Sequence, residues 1–259
     1  MSVSADLILS SISAALFGAL FLQFAFRFAR SRWWIYFFCA LFTTIRIAGY
    51  GLRAFMASDS APVYPTTAWI NYYIAETTLM SVGAIFILLI LARLYQCILP
   101  KLRYRDDQEA RTLFEKTLVD HTRVFLLPVI GCIIAGAVLA SYTEDAKMMN
   151  TSLILRKVSM FGLFAVSLIF LAAAISYRRR YTEQSRAFTI CVATTTFFVL
   201  SMIYKIVSTF NESALNSLPA FYLCSTLLEL IALAALCGDL QTYFLGQKKD
   251  ELPKGIEFK

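Results

Sequence analysis

The sequence predicts an all-α membrane protein, a seven-transmembrane helix bundle with its amino terminus outside and its carboxyl terminus in the cytosol. Three observations predict it. The chain is 59% hydrophobic and only 16% charged over 259 residues, with a mean hydropathy of +0.65. A soluble domain of that length cannot hide so much apolar surface, whereas lipid can. Seven stretches approach or exceed the ~20 apolar residues that cross a hydrocarbon core: 6–28, 33–57, 68–98, 123–142, 151–177, 186–210 and 218–245. The basic residues between them fall on alternate sides. Arg27, Arg30 and Arg32 crowd the first connection, Lys101 to Lys116 the third, Arg178 to Arg180 and Arg186 the fifth, and four lysines the tail; the even connections hold little besides Lys147. Cytoplasmic loops carry the excess of Lys and Arg, which fixes the orientation.

The first stretch has no basic region ahead of it and runs straight into another, so it reads as the first helix and not as a leader. Trp33 and Trp34 open the second, and Trp69, Tyr72 and Tyr73 the third, as aromatic residues do at headgroup level. The longest connection, from Leu99 to Thr122, carries alternating charge from Arg105 to Lys116. Residues 101–116 are either a solvated connector or a docking site for a cytosolic protein. In the fourth span Pro128 marks a kink, and Gly131 and Gly136 allow close helix contact. Arg156 and Lys157 lie near the outer end of the fifth, placed to snorkel to headgroups or to bind an anionic lipid. Pro219 starts the seventh, and Asp239 sits at its cytosolic end. Residues 1–246 form one domain, followed by a cytosolic tail over 247–259. Both glycosylation sequons, at Asn150 and Asn211, fall in connections assigned outside. None of the six cysteines lies in an outside loop, so no structural disulfide is expected.

Charges deep in a span cost several kcal/mol unless paired or wetted, so each is a candidate for function. At 1.5 Å per residue, Arg46 and Glu229 lie ~15 Å inside their spans, Glu76 ~12 Å and Lys205 ~8 Å, with Arg53 at the outer rim. These groups, with Tyr50, Asn71 and Tyr204, are the expected ligand-binding set. The simplest pairing joins Arg46 to Glu229 and Lys205 to Glu76; the crossed pairing is the alternative. The competing reading is a set of buried ion pairs that only fix helix register. Spans two and three also echo six and seven, a basic residue followed by an aromatic re-entry and an acid, as in transporters built from parallel repeats.

Several classes are excluded. One histidine is too few for an intramembrane zinc hydrolase. No Gly-x-Ser-x-Gly turn and no phosphate-binding glycine loop occur. No lysine lies deep in the seventh span for a retinal. Ala92-Arg93-Leu94-Tyr95 and Leu236-Cys237-Gly238-Asp239 do not match the rhodopsin-like signatures. No catalytic residue, metal site or cofactor is expected, and the net charge of +7 is explained by topology, not by nucleic acid.

The layout resembles the fungal seven-helix lipid-translocating exporters linked to aminocholesterol and sphingoid-base resistance, and related fungal heptahelical proteins. The likeness rests on Gly49-Tyr50-Gly51-Leu52-Arg53 ending span two, Ala92-Arg93-Leu94-Tyr95 ending span three, Tyr204-Lys205 in span six and Phe221-Tyr222 opening span seven. Val207 and Ser208 replace the acid that usually follows the span-six arginine, and the family's His-Glu and His-Pro around span seven are absent. The resemblance implies movement or sensing of a lipid or amphipathic cation. The expectation is a multi-pass transporter or exporter of a lipid or amphipathic small molecule among membrane lipids, at the plasma membrane or an endomembrane. The alternatives are a receptor signalling through basic cytosolic loops and a structural membrane subunit.

Overall fold

The computed structural model describes residues 3–58, 60–62, 66–103, 113–140, 146–180, 185–210 and 217–245. All of its described regular structure is helical. The long helices are α1 (Val3–Ser31), α2 (Trp34–Met56), α3 (Thr67–Arg103), α4 (Leu113–Ala140), α5 (Ala146–Arg180) and α6 (Ser185–Phe210). The seventh, α7 (Leu218–Ala235), is α-helical over Leu218–Phe221, π-helical over Tyr222–Leu227 and α-helical again over Leu228–Ala235. A short α8 (Leu240–Leu245) follows.

Six of these helices are long and apolar enough to cross a membrane: Ala5–Ser31, Trp34–Met56, Thr67–Ile98, Lys147–Arg179, Arg186–Phe210 and Leu218–Ala235. The chain is a multi-pass membrane protein. The fourth stretch lies on α4, a continuous helix whose apolar run among the described residues is Leu126–Ala140, ~22 Å at 1.5 Å per residue. In the sequence Asp120, His121 and Arg123 precede that run. Residues 104–112, within the long charged connection, lie outside the described residues, as do the Asn211 sequon and the tail from 246.

Each helix packs on the next in the chain, and α7 closes the ring by packing on α6 and α1, with α3 also touching α5. The apolar surface is turned outward: Leu22, Phe26, Trp34, Leu127, Ile134 and Leu153 are exposed, while Ser10, Thr43, Arg46, Glu76, Thr194, Ser201 and Glu229 are buried. That inversion is what lipid selects, since apolar side chains gain nothing by hiding from hydrocarbon and polar ones must find partners inside. Aromatic packing fills the rest of the interior. Phe17 stacks on Tyr50 at 5.5 Å. Tyr95 meets Phe170 and Tyr177 at 5.6 and 6.0 Å and donates to the Phe170 carbonyl.

Two helix ends shape the basic face. Only Arg32 and Trp33 join α1 to α2, and Arg32 takes a left-handed φ of 51°, which lets its N–H close the last turn on the Phe28 carbonyl at 2.7 Å. At the other end of the chain the single span expected over 218–245 is broken. The helix stops at Ala235, where Leu236 and Cys237 tighten into three-residue turns on Leu233 and Ala234. The Gly238 carbonyl, which takes the Leu240 N–H at 2.9 Å, also accepts from Arg27 Nη1 at 2.9 Å and from the Tyr36 hydroxyl at 3.4 Å, and that hydroxyl accepts the Leu240 N–H at 3.1 Å. The continuous apolar run hides this break because its cause is tertiary. Orphan carbonyls at a helix end need partners, and Arg27 and Tyr36 come from α1 and α2. Arg27→Ala removes a charge-assisted bond and is expected to destabilise the bundle by ~1–2 kcal/mol, read as a lowered thermal unfolding midpoint in detergent.

Candidate functional site

At the face holding the amino-terminal end of α1, α2 presents Arg46, Tyr50 and Arg53, and α7 presents Tyr222, Thr226 and Glu229. Both triplets run i, i+4, i+7, the spacing that keeps side chains on one helix face. Because the helices are antiparallel, the triplets meet rung by rung. Arg46 Nη2 donates to Glu229 Oε1 at 2.8 Å, and Arg46 Nε lies 2.8 Å from Oε2 without the alignment of a hydrogen bond. Tyr50 and Thr226 share a hydroxyl bond of 2.6 Å. Arg53 lies over the Tyr222 ring at 5.7 Å and over Phe221 at 4.1 Å. The π-helical turn carries Tyr222, Ser225 and Thr226, all buried. Such turns are frequent at functional sites.

The lower rung is a closed triad. Lys205 Nζ, from α6, also donates to Glu229 Oε1 at 2.5 Å, and Ser201 donates to the same oxygen at 3.4 Å. Arg46 spends Nη1 on the Met80 carbonyl at 2.8 Å and lies over the Phe42 ring at 5.0 Å. The Arg46 and Glu229 side chains are 0% and 1% exposed. Two bases therefore face one acid in the interior of the bundle.

The upper rung is more open. Arg53 Nε donates to Asp6 Oδ1 at 3.1 Å, and its Nη1 lies 3.7 Å from Glu76 Oε1. Arg53 and Asp6 are 21% and 23% exposed. The Tyr222 hydroxyl donates to Asp6 Oδ1 at 2.6 Å and is bonded to Ser10 at 2.6 Å. Two acids here face one base. Glu76 is the exception to the tidy pairing. Its side chain is 6% exposed, yet it accepts no hydrogen bond among the described residues, and its 3.7 Å contact with Arg53 is too long for one.

The expected set is thus only partly brought together. Arg46 pairs with Glu229 as the simpler reading has it, but Lys205 joins Glu229 and not Glu76. The reason is adjacency: α6 packs on α7, so Lys205 reaches the acid beside it. Arg53, placed at the rim by sequence, bridges Asp6 and Glu76. Tyr50 lies between the rungs. Tyr204 is partly exposed, within electrostatic reach of Arg53 and Cys224. Asn71 is exposed at the start of α3 and joins none of these groups. Sequence reasoning missed Asp6, Ser10 and Tyr222. The repeated i, i+4, i+7 spacing of 6, 10 and 13, and of 222, 226 and 229, was the available signal. All six cysteines are free thiols, and among the described residues no group of His, Cys, Asp and Glu could hold a metal ion.

Residues 5–241 match a domain of unknown function, DUF7702. The chain belongs to the DUF7702 family. The match takes in every helix that builds the two rungs, so the charged core is part of the family's domain and not an appendage to it. No curated protein and no solved structure matches the chain.

Proposed function

We propose that this DUF7702 chain is a seven-span protein, amino terminus outside, that carries an amphipathic lipid whose charged head enters the upper rung. The observation that supports this most is the upper rung itself, where two acids, Asp6 and Glu76, share the one base Arg53, and the nearly buried Glu76 holds it only at 3.7 Å. A buried carboxylate whose base is that distant and shared with a second acid keeps acceptor capacity that a cationic head could fill.

The level of the groups supports the same reading. Asp6 lies 21 residues before Arg27 and Glu76 lies 17 before Arg93. At 1.5 Å per residue these separations are ~26–32 Å, close to the ~30 Å thickness of a hydrocarbon core. With the arginine belt at the cytosolic interface, the upper rung stands at the headgroup level of the outer leaflet. The lower rung lies nearer mid-membrane and serves as the lock that holds α2, α6 and α7 in register.

Glu76→Gln keeps the shape and removes the charge. It is expected to slow the transfer of a labelled charged lipid between leaflets at least about tenfold, the loss of one charge-assisted contact, with membrane insertion unchanged. The measurement is leaflet exchange in vesicles holding the purified protein. Unchanged exchange in the variant removes the proposal.

A receptor reading has one observation of its own. The helix that carries Tyr222 and Glu229 also ends in the Arg27–Gly238–Tyr36 clasp, so a shift at the charged rungs is passed along one rigid element to the cytosolic face. Co-purification of a cytosolic protein that depends on residues 101–116 favours that reading, and lipid exchange by the pure protein favours transport.

A further inference from the structure

A hollow of about 520 Å³ opens on the outer face of α5, lined among the described residues by Ala172, Ile175, Ser176 and Arg179. These residues run i, i+3, i+4, i+7, which is one face of a helix. The opposite face, Phe170, Ala173, Ala174 and Tyr177, repeats that spacing and is buried. The four lining residues are all exposed, so the hollow faces what surrounds the bundle and not its core. Ala172 and Ser176, one turn apart, are the small side chains on this face, and Leu168 and Ile169 continue it as exposed apolar residues. Arg179 closes the other end. It is the last residue of the apolar span Lys147–Arg179, the level at which headgroups begin. Tyr95 of α3 packs on Phe170 and Tyr177, so this end of α5 lies beside the Arg93 end of α3, away from Glu76 and both rungs. Among the described residues the Arg179 guanidinium and the Ser176 hydroxyl have no hydrogen bond and no ion pair.

An apolar furrow that ends in an unpaired guanidinium at headgroup level matches one kind of molecule. We propose that it seats a glycerophospholipid of net negative charge, with the phosphate on Arg179 and the start of an acyl chain along Ala172 and Leu168. The dimensions agree. Arg179 lies 7 residues after Ala172 and 11 after Leu168, ~10 and ~16 Å along the helix, so a head and the first stretch of one chain fit on the same face. The volume lies within the ~300–1,000 Å³ of small-molecule sites. A guanidinium presents a planar fork of donors that matches a phosphate, and the Ser176 hydroxyl, about one turn deeper, is a donor at the level of the ester oxygens. Net charge decides among heads. A choline head neutralises its own phosphate, whereas a glycerol head leaves that charge for Arg179. The neighbouring Arg178 is exposed too but does not line the hollow, which separates a built site from the general pull of basic residues on anionic lipid. The site is independent of the upper rung and of what that rung carries.

The test is binding of acyl-labelled phosphatidylglycerol and phosphatidylcholine of equal chain length to the full chain in detergent, read by fluorescence anisotropy. The glycerol lipid is expected to bind about fivefold tighter, the worth of one basic residue at an anionic membrane surface. Arg179→Gln should erase that preference, and Arg178→Gln should leave it intact. The double variant A172L/S176L fills the furrow and keeps both arginines, and it should erase the preference as well. Every one of these changes falls on an exposed side chain, and Arg179→Lys, which keeps the charge and should keep the preference, guards against loss of fold. Equal binding of the two lipids by the wild type overturns the proposal. So does an equal loss in R178Q and R179Q, which would assign the preference to the basic residues at large. An undiminished preference in A172L/S176L also overturns it, because the furrow would then have no part in the binding. Free glycerol phosphate competing at the lipid's own concentration would assign a soluble anion and overturn the lipid source.

Discussion

Glu229→Ala is expected to be the most damaging single change in the protein, with a loss of about 3–5 kcal/mol, the range found when one partner of a buried ion pair is removed. The size follows from what is left behind. Arg46 is fully buried and Lys205 nearly so, at 0% and 14% exposure, and Glu229 is the acid that both touch. Without it two cations face each other in the buried interior. Lys205 has an escape, since its flexible stem can carry the ammonium toward the headgroups. Arg46 has none, because its Nη1 is held by the Met80 carbonyl at 2.8 Å and its stem lies in mid-bundle. Detergent-extracted E229A should therefore run as aggregate on size exclusion or unfold well below the wild type. The double variant R46M/E229L replaces the pair by apolar side chains of similar volume, and such replacements are often neutral or stabilising. It should recover most of the stability while Lys205 turns to the interface. A stable E229A protein would mean that the lower rung does not hold the bundle.

The same residues show how much was legible in the sequence. Position along a helix is a one-dimensional quantity, so the depths of Arg46, Glu76, Lys205 and Glu229 could be counted from the span ends. The stripe of Arg46, Tyr50 and Arg53 is likewise a property of one helix. Which acid meets which base is not, because it depends on which helices are neighbours, and Lys205 meets Glu229 through α6–α7 packing that no spacing encodes. Asp6 was hidden by its place near the start of α1, where an acid looks interfacial until Arg53 and Tyr222 are seen to bond it. The break after Ala235 was hidden for the same reason. The run from Leu230 to Gly238 is apolar throughout, and Arg27 and Tyr36 bond the turn at Gly238 from other helices. The π-helical turn also depends on partners outside its own segment, since Tyr222 and Thr226 bond to α1 and α2.

Gly83→Ala should be the second most costly change, with a loss of ~1–3 kcal/mol from overpacking. Alanine ordinarily stabilises a helix interior relative to glycine by ~1 kcal/mol, so the sign is reversed here by what the methyl meets. A Cβ built on Gly83 falls 3.0 Å from Arg46 Cζ, 3.1 Å from Nη1 and 3.3 Å from Nε. The group that must yield is not the loose end of a flexible chain. It is a guanidinium fixed by Glu229 on one side and by the Met80 carbonyl on the other, and moving it weakens the bonds that neutralise it. Gly49 is the instructive contrast. Its added Cβ would meet Met80 Cε at 3.2 Å, the tip of an adaptable side chain that can turn aside, so Gly49→Ala should cost little. Gly18, with nothing within 4 Å, should show the ordinary helix gain. Thermal unfolding of the three variants side by side gives the expected order G18A, then G49A, then G83A. Equal midpoints for G83A and G18A would show that the guanidinium is free to move, and with it that the lower rung is adjustable and not a lock.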